Sequence, residues 1–63
     1  MTIILTDETG RRIAQKLGYH KVYRLGRASY QVSVAEEDDA ETLAEIINQE
    51  GGAALVDRLP VAT

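Results

Sequence analysis

The clearest periodic pattern in the chain is a stripe of apolar residues spaced as on one face of a helix. Asp38 followed three residues later by Glu41 matches a capping box, and Gly51-Gly52 is a stop signal. The spacing therefore predicts a helix that starts at Asp38 and ends before the glycine pair. Its predicted core positions are Ala40, Leu43, Ala44 and Ile47, with Ile46 widening the stripe.

An earlier apolar run, TIILT at residues 2–6, is short and β-branched and predicts a buried strand. Thr6 then offers a hydroxyl N-cap to a first helix, which Gly18 ends in the left-handed conformation. Gly10 would lie inside this helix at a cost of about 1 kcal/mol relative to Ala, so a strand–turn–strand through residues 7–10 is the alternative. The apolar stripe of this helix is Ile13, Ala14 and Leu17.

Residues 19–35 alternate as a β-hairpin, and Gly26-Arg27 suits a two-residue turn that has glycine first. Pairing Leu25 with Ala28 then determines the register. One side of the hairpin would face the core, with Tyr23 opposite Tyr30, Lys21 opposite Val32 and Tyr19 opposite Val34. The other side would face water and would carry His20, Val22, Arg24, Ser29, Gln31 and Ser33.

A last short strand is predicted at residues 53–59, followed by a frayed tail at residues 60–63. The element order is then βαββαβ within a single domain of residues 1–63. This order predicts an α+β fold of the split βαβ, or ferredoxin-like, plan. Both helices would cover the tyrosine-bearing face of a four-stranded sheet and leave the other face open.

Composition is that of a folded domain, with 44% hydrophobic and 27% charged residues. There is no cysteine, which fits a reducing compartment and excludes thiolate chemistry. The apolar run near the N-terminus has three residues and no basic residue before it, so it predicts neither a signal peptide nor a membrane span. We therefore expect a soluble protein of the host-cell cytoplasm.

Charge is distributed unevenly along the chain. Residues 1–30 hold six Lys or Arg against two acids, and residues 31–63 hold one Arg against eight acids. The acidic cluster predicts a partner-binding surface that imitates nucleic-acid phosphates toward a basic protein. The alternative is that these acids serve only helix capping and solubility. The predicted partner-binding residues are Glu36, Glu37, Asp38, Asp39, Glu41 and Glu45.

Two other binding modes remain open. The basic stretch is interleaved with tyrosines, which is typical of nucleic-acid binding through phosphate contacts and base stacking. Its residues are Arg11, Arg12, Lys16, Arg24 and Arg27, with Lys21 among them. A chain of this plan can also assemble with its own copies through an exposed edge strand or through the open sheet face.

Catalysis and metal binding are not indicated by the sequence. His20 is the single histidine, and a pairing with Ser29 or Ser33 lacks the acid that would orient it. There is no His/Cys cluster, and the acidic run lacks the spacing of a calcium loop. We expect a non-enzymatic protein without a metal or another cofactor.

Two stretches resemble parts of known families. Residues 3–25 look like the strand–loop–helix–strand run of rhodanese-like domains, which implies a helix and then a strand. Thr6 stands where that family has its sulfur-accepting cysteine, so sulfur transfer is not carried over. Residues 30–56 resemble the strand–helix–strand of the peptidoglycan-binding SPOR repeat but lack its glycine-aromatic signature. The matching positions of the rhodanese-like run are Gly10, Arg11, Gly18, Tyr19, Val22 and Tyr23.

As a type, a small acidic chain without cysteine resembles the phage-borne inhibitors known as anti-CRISPR proteins. This resemblance implies an inhibitor whose partner is a host protein with a basic surface, such as a CRISPR effector subunit.

Overall fold

Six elements follow one another in the computed structural model, which describes residues 2–58. They are β1 (Thr2–Thr6), α1 (Glu8–Lys16), β2 (Val22–Arg24), β3 (Tyr30–Val34), α2 (Glu37–Gln49) and β4 (Ala54–Arg58). The strands form one sheet in the order β2-β3-β1-β4, and every neighbouring pair is antiparallel. This is the ferredoxin-like arrangement, so the predicted α+β fold is confirmed.

Both helices pack on the same face of the sheet. Ile4 on β1 and Val32 on β3 are fully buried there against Ala14 of α1 and Leu43 and Ile47 of α2. Helix α1 lies over β3 and β1, whereas α2 lies over β4 and β1. The predicted core stripe of α2 is confirmed at its four main positions, Ala40, Leu43, Ala44 and Ile47, and Ile46 is half-buried beside them.

Helix α1 differs from its prediction in its cap. The N-cap is Asp7, whose carboxylate accepts a hydrogen bond from the Gly10 N–H at 3.0 Å, and the Thr6 hydroxyl instead donates to the Ala53 carbonyl at 2.6 Å. Thr6 belongs to β1, where its backbone pairs with Ala54 and Tyr30. The predicted Thr6 cap is therefore wrong.

Gly10 is helical, so the alternative strand–turn–strand is also wrong. A Cβ at residue 10 would lie 1.7 Å from the Thr6 hydroxyl oxygen. The helix can approach β1 this closely only because residue 10 has no side chain, which outweighs the low helix propensity of glycine. The predicted left-handed Gly18 is confirmed, with a φ of 100°.

The N-cap of helix α2 lies two residues before the predicted one. Glu36 is in the N-cap position and makes no side-chain capping bond, while Asp38 already lies within the helix. The predicted capping box of Asp38 and Glu41 is therefore wrong. Three acids in the first turn complement the positive end of the helix in place of a side-chain cap. The helix ends where expected, since Gly51 follows it with a φ of 90°.

The hairpin forms, but its register is shifted by one residue from the prediction. Val22 pairs with Val32, Tyr23 with Gln31 and Arg24 with Tyr30. The Leu25 N–H donates to the Ser29 carbonyl at 2.8 Å, so the loop has three residues rather than Gly26-Arg27 alone. Val22 thus packs against the core, and Tyr23 is turned to the open face with 55% of its surface exposed.

The shifted register also changes which side chains lie on each side of the hairpin. Arg24, predicted on the watery side, lies in the same cross-strand row as Tyr30, on the helix-covered side at the sheet edge. The predicted water-facing side is confirmed for Gln31 and Ser33 of β3 and is wrong for Val22 and Arg24 of β2, so Arg24 does not lie beside Ser33. Strand β4 begins at Ala54 rather than residue 53. The predicted strand end at Leu59 and the predicted tail at residues 60–63 lie outside the described residues.

Candidate binding surfaces

Three of the predicted partner-binding acids share the outward side of α2. With 3.6 residues per turn, Asp38, Glu41 and Glu45 project within about 60° of one another and away from the buried positions. All three are exposed. Thr42 and Gln49 continue the same side, where Gln49 donates a hydrogen bond to the Glu45 carboxylate at 3.3 Å. We call Asp38, Glu41 and Glu45 the acidic face.

The other predicted acids lie around the start of the helix rather than on this face. Glu36 precedes the helix and is exposed. Glu37 is half-buried and has a partner within the chain. Asp39 is exposed on the flank of α2, beside a shallow depression that Tyr19 and Lys21 also line. The structure therefore gathers three of the six acids into one surface and places the other three at its margin.

Among the side chains that the structure describes, the acidic face has no basic partner. None of its carboxylates forms an ion pair with a Lys or Arg side chain of residues 2–57; the ion pairs of that part of the chain join Glu8 to Arg11 at 2.9 Å and to Arg12 at 3.9 Å. Helix α1, which carries Arg12 and Lys16, lies beside α2. The helix of the basic half of the chain thus lies next to the helix of the acidic half.

Arg11 is held within the fold and not presented to solvent as a free cation. Its guanidinium donates hydrogen bonds to Glu8 at 2.9 Å and to Gln15 at 2.8 Å, and it lies 5.3 Å from the ring centroid of Tyr30. The hydrogen bond to Glu8 is the main cause that raises the pKa of Arg11 above its ordinary value. Arg11 therefore joins α1 to β3.

The remaining predicted basic residues are spread over three elements. Arg12 and Lys16 are neighbours on the exposed side of α1. Arg24 is on the edge strand β2, where its Nε donates to the Gly26 carbonyl at 2.8 Å, and Arg27 is exposed in the hairpin loop. The nucleic-acid alternative stays a prediction, carried by a dispersed set of cations and not by one aligned row.

The open sheet face is a second surface, and its exposed apolar side chains were not predicted. Tyr23, Leu25 and Leu55 are exposed by 55%, 56% and 64% respectively. The register puts Tyr23 and Leu55 in one cross-strand row with Gln31 and Leu5. A groove of about 660 Å³ lies at this end of the sheet, between the hairpin loop and the segments around Asp7 and Ala53. Leu5, Leu25 and Leu55 contribute to its lining, whereas Tyr23 does not. The signal for this surface was the alternation of β4, whose Leu55 must face away from a core that Ala54 and Val56 contact.

Residues 2–58 contain no group of three or more His, Cys, Asp or Glu side chains arranged to hold a metal ion. His20 is exposed, and Ser33 lies in the open-face row with Ile3 and Asp57. Neither helix of the described part has the length and apolar character needed to cross a membrane. Comparison of the chain with protein-family models, with curated proteins and with solved structures finds no match.

Proposed function

We propose that this protein is a non-enzymatic binding module that inhibits a partner protein by occupying a basic surface with the acidic face of α2. The observation that carries the proposal is the alignment of Asp38, Glu41 and Glu45 on the outward side of one helix. No Lys or Arg lies in this helix. The acids of the first turn serve the helix dipole, but Glu41 and Glu45 lie beyond that turn and are not needed for capping.

The three carboxylates act together on an approaching partner. The helix rises about 1.5 Å per residue, so consecutive members of the acidic face are separated by roughly 4.5–6 Å along the axis. This spacing is shorter than the Debye length of about 8 Å at physiological salt. Such a surface attracts a groove lined with Lys and Arg, and a groove that holds nucleic-acid phosphates is of this kind.

A more specific version of the proposal names the partner, and it follows from the resemblance of this small acidic chain to phage-borne anti-CRISPR inhibitors. The partner would be a CRISPR effector subunit in the host cytoplasm, and the acidic face would compete with the nucleic acid for its basic channel. Small size, net charge of −3 and the absence of cysteine support this form. Competition predicts that added nucleic acid displaces the protein.

The test is an affinity pull-down from host lysate with two charge-reversal variants of equal net charge. Asp38→Lys/Glu45→Lys changes the acidic face, and Asp39→Lys/Glu50→Lys changes the other flank and end of the same helix. We expect the first variant to lose a partner that wild type binds at low salt and releases at high salt. The second variant should retain most of the binding, and circular dichroism should show both to be folded.

Two results would contradict the proposal. Equal loss from both variants would show that net charge, and not the acidic face, holds the partner. Retention of the partner by Asp38→Lys/Glu45→Lys would exclude the acidic face altogether. The nucleic-acid alternative has its own readout, since binding of labelled DNA or RNA that Arg12→Glu/Lys16→Glu abolishes would assign function to α1.

A further inference from the structure

The exposed side chains of the open sheet face are mostly apolar at one end and polar at the other. The end nearest the hairpin loop carries Leu25 and the cross-strand row of Tyr23, Gln31, Leu5 and Leu55. The far end carries Ser33 and Asp57 on either side of Ile3, which is only 4% exposed. Lys21 extends the far row, because its carbonyl accepts a hydrogen bond from the Ser33 N–H at 2.9 Å and so continues the β2–β3 register. The polarity of the exposed side chains therefore changes along the strand direction, from the hairpin-loop end to the far end.

Its exposed apolar area is concentrated at one end. Four large hydrophobic side chains of the described residues are exposed, and three of them, Tyr23, Leu25 and Leu55, are on the apolar end of this face. The fourth, Leu17, follows α1 on the other side of the molecule. Gln31 and Leu5 lie between Tyr23 and Leu55 in the row. A concentration of exposed apolar side chains at one end of a face favours an interaction site there.

We propose that a second copy of this chain packs face to face on the open sheet, related by a two-fold axis that runs parallel to the strands. A two-fold contact requires a surface that is complementary to itself. Rotation about this axis places the β2 edge of one copy over the β4 edge of the other. Each cross-strand row then packs on the same row of the second copy. Tyr23 then lies over the partner's Leu55, and the apolar ends of both faces meet.

Charge selects the same arrangement. Lys21 and Asp57 occupy opposite edges of the far row, so the axis along the strands brings Lys21 over the partner's Asp57 twice in the dimer. Asp57 has a contact within its own chain, and a carboxylate can accept further hydrogen bonds. A two-fold axis across the strands would instead place the apolar end of one face on the polar end of the other. The axis along the strands is therefore favoured both by the contact between the apolar ends and by the pairing of Lys21 with Asp57.

The size of the face predicts a weak dimer. Four strands spaced by about 4.8 Å and five residues of about 3.3 Å each give a flat area of roughly 300 Å² per copy. Stable interfaces bury about 800 Å² per partner, so we expect association at micromolar or higher concentration.

The geometry can be tested by cross-linking, since the natural chain has no cysteine. Lys21→Cys and Asp57→Cys leave the apolar end intact and put single thiols at opposite sheet edges. We expect a short bis-maleimide to join the two variants when they are mixed, and to join neither variant efficiently to itself. In this dimer the β2 edges of the two copies, and likewise their β4 edges, would be separated laterally by three strand spacings, or roughly 14 Å. Self-cross-linking of either variant as efficient as that of the mixture would overturn the proposed axis.

The surface itself is tested by sedimentation velocity over a range of concentrations. Leu55→Asp should raise the dissociation constant at least tenfold, because it buries a charge against the partner's Tyr23. Leu17→Asp is the control, because Leu17 is an exposed leucine outside the face, at 54% against 64% for Leu55. This variant should change the dissociation constant less than twofold. Circular dichroism would confirm that both variants are folded. A wild-type chain that stays monomeric to about 1 mM, or equal effects of the two variants, would overturn the proposal.

Discussion

Asp7 and Glu36 occupy the same position before the two helices, but only Asp7 makes bonds there. Its two carboxylate oxygens accept hydrogen bonds from the Gly10 N–H at 3.0 Å and from the Ala53 N–H at 3.2 Å. Its own N–H donates to the Ala53 carbonyl at 3.3 Å. Glu36 makes no side-chain capping bond, because its longer side chain does not adopt the geometry of a short cap. Of the two N-cap residues, only Asp7 therefore stabilises its helix and the contact with Ala53 through side-chain hydrogen bonds.

Replacing these two residues by alanine should therefore have unequal effects on stability. Asp7→Ala should lower the free energy of unfolding by about 1–3 kcal/mol, since it removes a helix cap and a second hydrogen bond. Glu36→Ala should change it by less than about 0.5 kcal/mol. Chemical denaturation followed by circular dichroism measures both. A Glu36→Ala loss as large as that of Asp7→Ala would contradict this account of the caps.

At the scale of elements, the hairpin shows how a loop determines which side chains are buried. A loop of three residues, where two were predicted, shifts the pairing by one and reverses the sides of β2. Strand β2 is at the sheet edge and packs chiefly on β3, beyond the main contacts of both helices. The small Val22 fits beneath that edge, and the larger Tyr23 is left on the open face.

The register makes a prediction about stability that separates the two possible pairings. Val22→Ala should lower the free energy of unfolding by about 1 kcal/mol, because Val22 packs against the core. Tyr23→Ala should lower it by less than about 0.5 kcal/mol, because Tyr23 is exposed. Both are measured by urea denaturation at a concentration low enough to avoid association. The originally predicted register would give the reverse order.

The elements and their order could be predicted from the sequence, because each has a strong local signal. The apolar stripe of α2 has a helical period, and the run at residues 2–6 is β-branched. The signals that failed depend on contacts between distant residues. Thr6 looked like a cap, yet its hydroxyl bonds Ala53, which is 47 residues away. Gly10 left a turn open as the alternative to the predicted helix, and only its close approach to Thr6 explains why a glycine lies there.

The same distinction applies to the candidate surfaces. The helical period alone puts Glu41 and Glu45 opposite the core stripe of α2, because their side follows from their spacing. Asp38 was predicted as a cap, and the structure adds it to this side. Asp39 and Glu37 could not be assigned in this way, since their surroundings depend on the loop before the helix. The apolar end of the open face was missed because it required the correct register of β2.

At the scale of the whole molecule, one small core must support the fold. A chain of 63 residues is expected to have a free energy of unfolding of roughly 3–9 kcal/mol. The largest fully buried side chains are Ile4, Leu43, Ile47 and Val32, and they come from both central strands and from α2. A single cavity among them therefore removes a large part of the total stability.

Two adjacent isoleucines of α2 provide a matched test of this dependence. Ile47 is fully buried, so Ile47→Ala should cost about 2–5 kcal/mol and leave a substantial unfolded fraction. Ile46 is half-buried, so Ile46→Ala should cost less than about 1.5 kcal/mol. Thermal unfolding followed by circular dichroism compares the two. Equal costs would show that the core is not centred where the structure places it.

The bonds that join Thr6 and Asp7 to Ala53 also bear on how the molecule folds in time. They connect residues 47 and 46 positions apart, so they form only after nearly the whole chain has been brought together. We expect these hydrogen bonds to form late, after the folding barrier has been crossed, because closing so long a loop costs entropy before the bonds can stabilise the chain. Their loss in Asp7→Ala is then expected to appear in a chevron plot as faster unfolding with little change in folding rate. The link between the first strand and the last would thus govern the lifetime of the folded state.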